Sequence, residues 1–475
     1  MHTKQSNSFA NKAVEWSPHE YQRRAIEFMI TSGVAGLFMD PGLGKTATTL
    51  AAYKILKDKN LVNAALVIAP LRVCHLVWPN EVKKWANFND LKVTVLHGPK
   101  KEKLLDEKAD IYLINPEGLQ WLLTTERMGK IRPDMLVVDE STKFKRTTTQ
   151  RFKLLKKWLN QFSRRYILTG TPAPKGLLDL FGQIYLLDQG ASLGRFITHY
   201  KTKYFVPSGY MGYDWQPQPG ATEKINDQIG HMILRLEDKD YLEMPELIHD
   251  TISVELPPKV RKQYNELEKE FITMIENDEV TAMNAGTVSN KLRQIAGGGI
   301  YTDDGGVAYA HSAKADALVD LLEQLQGAPL LVFYQFRHDV ITISKALPKE
   351  FLSGGKTAPY IGGGVSGREA DTLAKLFNNG DLPVLLAHPA SAGHGLNLQG
   401  ASNHVCFYSP TWDLEHHDQA LRRVYRQGQK ESHVVIHHIV AAGTVDEVVV
   451  KTLVEKDRTQ RAILDGLKKH FGDEK

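Results

Sequence analysis

At 475 residues, with 42% hydrophobic and 24% charged side chains, the chain is sized for two or three folded domains and is too apolar to be mostly disordered. The formal net charge of +4, from 59 basic and 55 acidic residues, singles out no partner, and two cysteines (Cys74 and Cys406) exclude a disulfide framework. No apolar run approaches the ~20 residues of a membrane-spanning helix. The opening MHTKQSNSFANK lacks the apolar core of a secretory signal, so a cytoplasmic location (nucleoid or host cytosol) and no secretion are expected.

In chain order, the first α/β stretch runs from about residue 21 to 187. Its strand candidates are GLFM (36–39), AALVIAP (64–70), VTVLHG (93–98), DIYLIN (110–115), MLVVDE (135–140) and RYILTG (165–170). Continuous Val/Ile/Leu runs alternating with helical patterns predict parallel strands covered on both faces. Residues 188–312 read differently. They hold an aromatic, Pro/Gly-rich piece (204–220), a long charged helix pattern (258–277) and a GGG turn (297–299), and they predict insertions and a connection, not a third core. A second α/β stretch from about 314 to 450 has strand candidates PLLVFY (329–334), PVLLAH (383–388), HVCFYS (404–409) and HVVIHHIV (433–440), and a charged amphipathic helical tail follows. The expected fold class is α/β, with two parallel-sheet lobes in tandem: residues 1–240 with an insertion at 188–240, and 241–475 with a helical insertion at 256–312.

GLFMDPGLGKT (36–46) reads as strand, glycine-rich turn and helix start. Gly42, Leu43 and Gly44 let backbone wrap a phosphate in front of a helix N-terminus. Lys45 would neutralise the terminal phosphates and Thr46 would hold Mg²⁺. Met39 stands where the phosphate-loop pattern has its first glycine. The strand 135–140 ends in two carboxylates, of which Asp139 could hold Mg²⁺ and Glu140 could orient and deprotonate water. RYILTGTP (165–172) ends in small hydroxyls, Thr169 and Thr171. QALRRVYRQGQ (419–429) reads as helical, with Arg423 and Arg426 on one face. Nine basic and no acidic residues between 143 and 165 form either a solvated helix face or a polyanion contact. The 18 histidines form no HExxH, and the pairs 416–417 and 437–438 lack zinc-site spacing.

Taken together, these motifs resemble the two-lobed ATPases of helicase superfamily 2, and within them the Swi/Snf family of DNA-dependent translocases. The likeness covers nearly the whole chain, in order, and implies that the two α/β parallel-sheet lobes in tandem are RecA-like. Tyr21-Gln22 looks like the adenine-reading motif, and GLGKT (42–46) and LTGTP (168–172) match. APLRVCHLVWPNEVKKW (69–85), with Pro70 and Trp78, looks like motif Ia. DEST (139–142) stands where the family has DEAH, LVFYQF (331–336) looks like motif IV, SAGHGLNL (391–398) like motif V and 419–429 like motif VI. The resemblance implies ATP and Mg²⁺ as cofactors, with Gln22, Gly395 and Gln419 joining the phosphate loop in binding nucleotide. Lys45, Glu140, Arg423 and Arg426 would be catalytic, in a cleft that both lobes complete. It implies duplex DNA as partner, with DNA-bound proteins as targets and no zinc. Candidate DNA contacts are Lys143, Lys145, Arg146, Thr169, Thr171, Ser391 and Trp412; Trp412 fits a core position equally well. A strand-separating helicase on the same fold is the main alternative, and an idle nucleic-acid-binding scaffold the other.

Overall fold

The structure, a computed structural model, describes residues 14–208, 214–276, 282–302, 304–392 and 396–469. It divides into two compact units, Met1–Tyr241 with Gln460–Lys475, and Leu242–Thr459. No helix among the described residues is long and apolar enough to cross a membrane.

The first unit is built on strands β1 (Val34–Met39), β2 (Ala65–Ile68), β3 (Val93–Val95), β4 (Ile111–Ile114), β5 (Met135–Asp139), β6 (Arg164–Thr169) and β9 (Ile233–Leu236), with an antiparallel hairpin of β7 (Phe205–Ser208) and β8 (Asp214–Pro217) to one side. The main sheet is wholly parallel, in the order β3-β4-β2-β5-β6-β1-β9. Nearly every residue of β1, β2, β4 and β5 is buried, as strands with helices on both faces must be. On one face Phe38, Ile68, Ile114, Val138 and Ile167 share a cluster with Leu155, Phe181 and Ile184 from flanking helices. Each such side chain contributes roughly 1.5–3 kcal/mol on full burial. Helix α1 (Glu20–Thr31) precedes β1, and α2 (Lys45–Asp58) follows it. The α2 sequence is rich in Ala and Leu, good helix formers, and it buries Ala47, Leu50, Ala52 and Leu56.

The second unit carries its own parallel sheet, in the order β10-β17-β16-β13-β15-β14. Its strands are β10 (Glu246–Val254), β13 (Leu330–Phe333), β14 (Tyr360–Ile361), β15 (Val384–Ala387), β16 (His404–Phe407) and β17 (His433–Ala441). A short hairpin of β11 (Gly299–Tyr301) and β12 (Val307–Tyr309) precedes β13. The charged pattern at 258–277 forms the helix Pro258–Glu276, and the tail forms the helix Val445–Lys469.

Two strands lie inside the stretch that reads as insertion and connection. β9 pairs with β1 in the register Gly36↔Ile233 to Met39↔Leu236, and β10 pairs with β17 over nine residues. Both close an edge of a main sheet. β10 (ELIHDTISV) alternates partly buried and exposed residues, as an edge strand does, and β9 carries an arginine in an apolar run. Neither has the continuous apolar character that marks the central strands.

Candidate nucleotide site and its supports

In the first unit the loops after β1, β2, β5 and β6 leave the same, C-terminal edge of a parallel sheet, the edge where such sheets bind ligands. After β1 the chain turns through Gly42 (φ 99°) and Gly44 (φ 79°). Both occupy left-handed backbone that suits glycine. A Cβ on Gly44 would also come within 2.5 Å of Gln22 Nε2. Gln22, buried on α1, donates from Nε2 to the Leu43 carbonyl at 3.0 Å and accepts at Oε1 from the His19 amide, also at 3.0 Å. It therefore braces the loop from behind.

Lys45 and Thr46 open α2, whose first amides have no intrahelical acceptor and carry the positive end of the helix dipole. Lys45 Nζ donates to the Met39 carbonyl at 2.7 Å. Asp139, at the end of β5, is buried; its Oδ2 accepts from Trp78 Nε1 at 3.0 Å and its Oδ1 from the Glu140 amide at 3.1 Å. Burial raises its pKa, offset in part by the Trp78 hydrogen bond and the Lys45 charge. Glu140 has φ 54°, a left-handed backbone that a non-glycine residue adopts at a cost of about 1–3 kcal/mol. That conformation turns the chain after Asp139 into the turn Ser141–Phe144. Thr169 and Thr171 are buried, and the Thr171 amide donates to Thr169 Oγ1 at 3.1 Å. Gly170 is pressed against the phosphate loop, since a Cβ there would come 2.9 Å from Pro41 Cδ.

Two supports carry no motif signature. Arg235 on β9 pairs with Asp40 at 2.9 Å and with Glu237 at 3.5 Å, all three side chains being buried. Arg235 also donates to the Phe38 carbonyl at 3.0 Å, and the Asp238 amide donates to Asp40 at 3.2 Å. The only hint in sequence is ILRLED (233–238), where an apolar strand carries a cation and ends in two acids. The second support is Gln183, fully buried. It accepts from Ser141 Oγ at 2.7 Å and donates to the Pro172 carbonyl at 2.6 Å, joining the turn after β5 to the turn after β6. The serine that replaces the alanine of DEAH thus has a partner of its own.

The basic run from 143 to 165 divides. Arg146, Lys153, Lys156 and Lys157 are exposed. Lys143 is half-buried in the turn Ser141–Phe144, and Lys145 pairs with the partly buried Asp179 at 3.5 Å. Arg164 and Arg165 are spent on main-chain carbonyls: Arg164 on Ile30, Arg165 on Leu187 and Phe162.

In the second unit the expected helix through 419–429 stops at Leu421. Arg423 and Arg426 lie in the turns beyond it and do not share a helix face. The reason is local: the Arg423 carbonyl accepts from the Leu398 amide at 3.0 Å, and Gly428 (φ 86°) turns the chain away. The two arginines nonetheless converge on one loop. Arg423 donates to the Leu396 carbonyl at 3.0 Å, and Arg426 bonds to Asn397 Oδ1. Burial pushes the Arg426 pKa down. Among the described residues, Arg426 Nε and Gln419 Oε1 are buried without a hydrogen-bond partner. Ser391 is in the short helix Pro389–Ala392. Trp412 packs against Leu414, Val449 and Leu453, so the core role accounts for its ring. Gly395 lies outside the described residues.

The family description "SNF2-related domain" matches residues 13–298, and "Helicase conserved C-terminal domain" matches 313–428. The chain is 34% identical to a protein designated p41 of Acyrthosiphon pisum secondary endosymbiont phage 1, over 96% of this chain and 99% of that one. It is 27% identical to the mouse DNA annealing helicase and endonuclease ZRANB3, over 90% of this chain but only 39% of ZRANB3. Among solved structures it is similar to the Sulfolobus solfataricus SWI2/SNF2 ATPase core in complex with dsDNA, with 25% identity, 96% of this chain and 95% of that chain covered, and a TM-score of 0.44. With more than half its length inside the first match, the chain belongs to the SNF2-related family of helicase-like ATPases.

Proposed function

We propose that the protein hydrolyses ATP in response to double-stranded DNA and uses the cycle to move along the duplex, displacing proteins bound to it. The observation that carries the reading is the meeting of Lys45, Thr46, Asp139 and Glu140 at one edge of a parallel sheet, behind a glycine loop braced by Gln22. The residues fit the nucleotide: α2 begins at the loop, so its N-terminal amides suit a phosphate, and the loop glycines leave the approach clear of Cβ atoms. Lys45 exchanges the Met39 carbonyl for the terminal phosphates. Thr46 and Asp139 hold Mg²⁺, which neutralises phosphate charge when bound. Glu140 orients the attacking water and takes its proton.

To Arg423 and Arg426 we assign, as the resemblance implies, the supply of cationic charge to the transition state. Orphaned buried atoms on Arg426 and Gln419 are consistent with a ligand that takes them up. The exposed cations Arg146, Lys153, Lys156 and Lys157, with Lys143 beside them, suit sequence-independent phosphate contacts. Lys145, held by Asp179, contributes less.

The test is an ATPase titration against duplex DNA, single-stranded DNA and RNA over a range of salt. Duplex should stimulate most, with a steep salt dependence. Lys45→Ala and Glu140→Gln should abolish turnover and keep DNA binding, and Arg423→Ala should lose ~10³-fold or more in turnover while keeping ATP affinity. Stimulation by RNA alone, or wild-type turnover by Arg423→Ala, would overturn the reading. Triplex displacement without strand displacement identifies translocation; strand displacement identifies unwinding.

A further inference from the structure

The second unit carries a groove remote from every motif loop. It has a volume of about 470 Å³ and is lined by Ile341, Leu347 and Leu352 with Lys345, Lys349 and Lys356. No carboxylate lines it. The three lysines are exposed, and Ile341 is 46% exposed despite being apolar. Beside it Tyr309 is 50% exposed, with Lys345 Nζ 5.0 Å from its ring centroid.

Topology places this groove. β13, β14 and β15 run parallel, so the helix Arg337–Ala346 after β13 must carry the chain back along the sheet. Its ten residues span ~15 Å, which delivers Lys345 and residues 347–357 to the N-terminal edge of the strands. Gln335, Ser391, Asn397 and Arg423 belong to the opposite, C-terminal edge or to loops bonded to it. A partner in the groove leaves those residues open.

We propose that this groove docks an acidic segment of another protein whose apolar side chains fill the depression while its carboxylates meet the three lysines. Charge complementarity selects the sign, and the apolar floor selects a peptide over a nucleic acid. A phosphate backbone gains nothing from the exposed Ile341 or the partly exposed Leu352, which sit over the buried Leu347, whereas apolar surface beside charge is what a protein segment buries.

The experiment uses the full chain and a fluorescent dodecapeptide that alternates Asp and Glu with Phe and Leu, read by anisotropy. A peptide with Lys in place of the acids is the control. The acidic peptide should bind, weaken with salt, and lose about tenfold or more in the triple variant Lys345→Gln, Lys349→Gln, Lys356→Gln. A second variant, Ile341→Ser, should weaken it without changing its salt dependence. Thermal melting confirms that these surface variants are folded. No binding of the acidic peptide, equal binding of the basic one, or unchanged affinity in the triple variant overturns the proposal. So does a parallel loss of duplex-DNA affinity in the triple variant, which would make the groove a nucleic-acid contact.

Discussion

Arg235 holds Asp40 at 2.9 Å from the neighbouring strand, with both side chains almost wholly out of solvent. The pair spans almost two hundred residues of sequence and ties β9 to the first residue of the phosphate loop. Its removal by Arg235→Met takes away the buried cation that Asp40 and Glu237 share, leaving Glu237 to Lys239. A loss of about 3–5 kcal/mol in unfolding free energy is expected, together with weakened ATP binding. Urea denaturation and nucleotide titration check it; an unchanged midpoint would show that the pair is dispensable.

Gln183 and Ser141 should behave as one unit. Gln183→Ala orphans the Ser141 hydroxyl and the Pro172 carbonyl, and each orphaned buried group costs ~1–3 kcal/mol. Because Ser141→Ala removes the same contact, a double-mutant cycle should give a coupling of at least ~0.5 kcal/mol. Additive effects would separate them.

Gly182 bears directly on the same turn. A Cβ there would come 2.3 Å from the Phe144 carbonyl oxygen and 2.7 Å from that of Lys145. Both obstacles are backbone. Gly182→Ala should therefore cost more than ~1–3 kcal/mol and lower ATP turnover by shifting the turn that holds Glu140. Thermal melting and kcat measured on the same preparation test both halves.

Acid should weaken the second unit. Burial, with His437 and His433 nearby, lowers the His404 pKa to about 4. Burial, with His417, His249 and His437 nearby, lowers that of His438 to about 3. His311 and His388 are lowered too, again by burial. An unfolded chain titrates its histidines near ~6.5. Below that value it binds protons the folded chain refuses, so stability is lost as the pH falls from ~6.5 towards ~4. Urea midpoints at successive pH values should show this fall. His438→Phe should flatten it, since the ring already stacks on Phe407 at 5.3 Å.

Both thiols should be silent in the native protein. Cys74 and Cys406 are fully buried, and burial pushes Cys74 up to about 12 and Cys406 higher still. A thiol reagent should label neither until denaturant is added. Rapid native labelling of Cys74 would show that the segment after β2 opens readily.

Much of this architecture is legible in residues alone, for a physical reason. Central parallel strands are apolar throughout, and a phosphate loop needs glycine, lysine and threonine at fixed spacing, so local sequence declares them. Gln22, Lys45, Asp139 and Glu140 fall where their motifs place them. What is hidden depends on distant chain. β9 and β10 are edge strands whose partners lie far away in sequence, and nothing local marks Arg235 as the counter-ion of Asp40. The arginines after Leu421 mislead for the opposite reason. Their spacing suits a helix, but the Leu398 amide captures the Arg423 carbonyl and the helix stops. Charge counts mislead likewise: four of the nine cations in the run are exposed, while Arg164 and Arg165 are consumed by carbonyls.

The place of β9 has a consequence for synthesis on the ribosome. The strand that completes the sheet beside β1 is made almost two hundred residues after it, so a nascent chain shorter than about 236 residues leaves one edge of β1 bare and Asp40 without Arg235. The buried charge pair beside the phosphate loop can thus form only after the rest of the main sheet has been made.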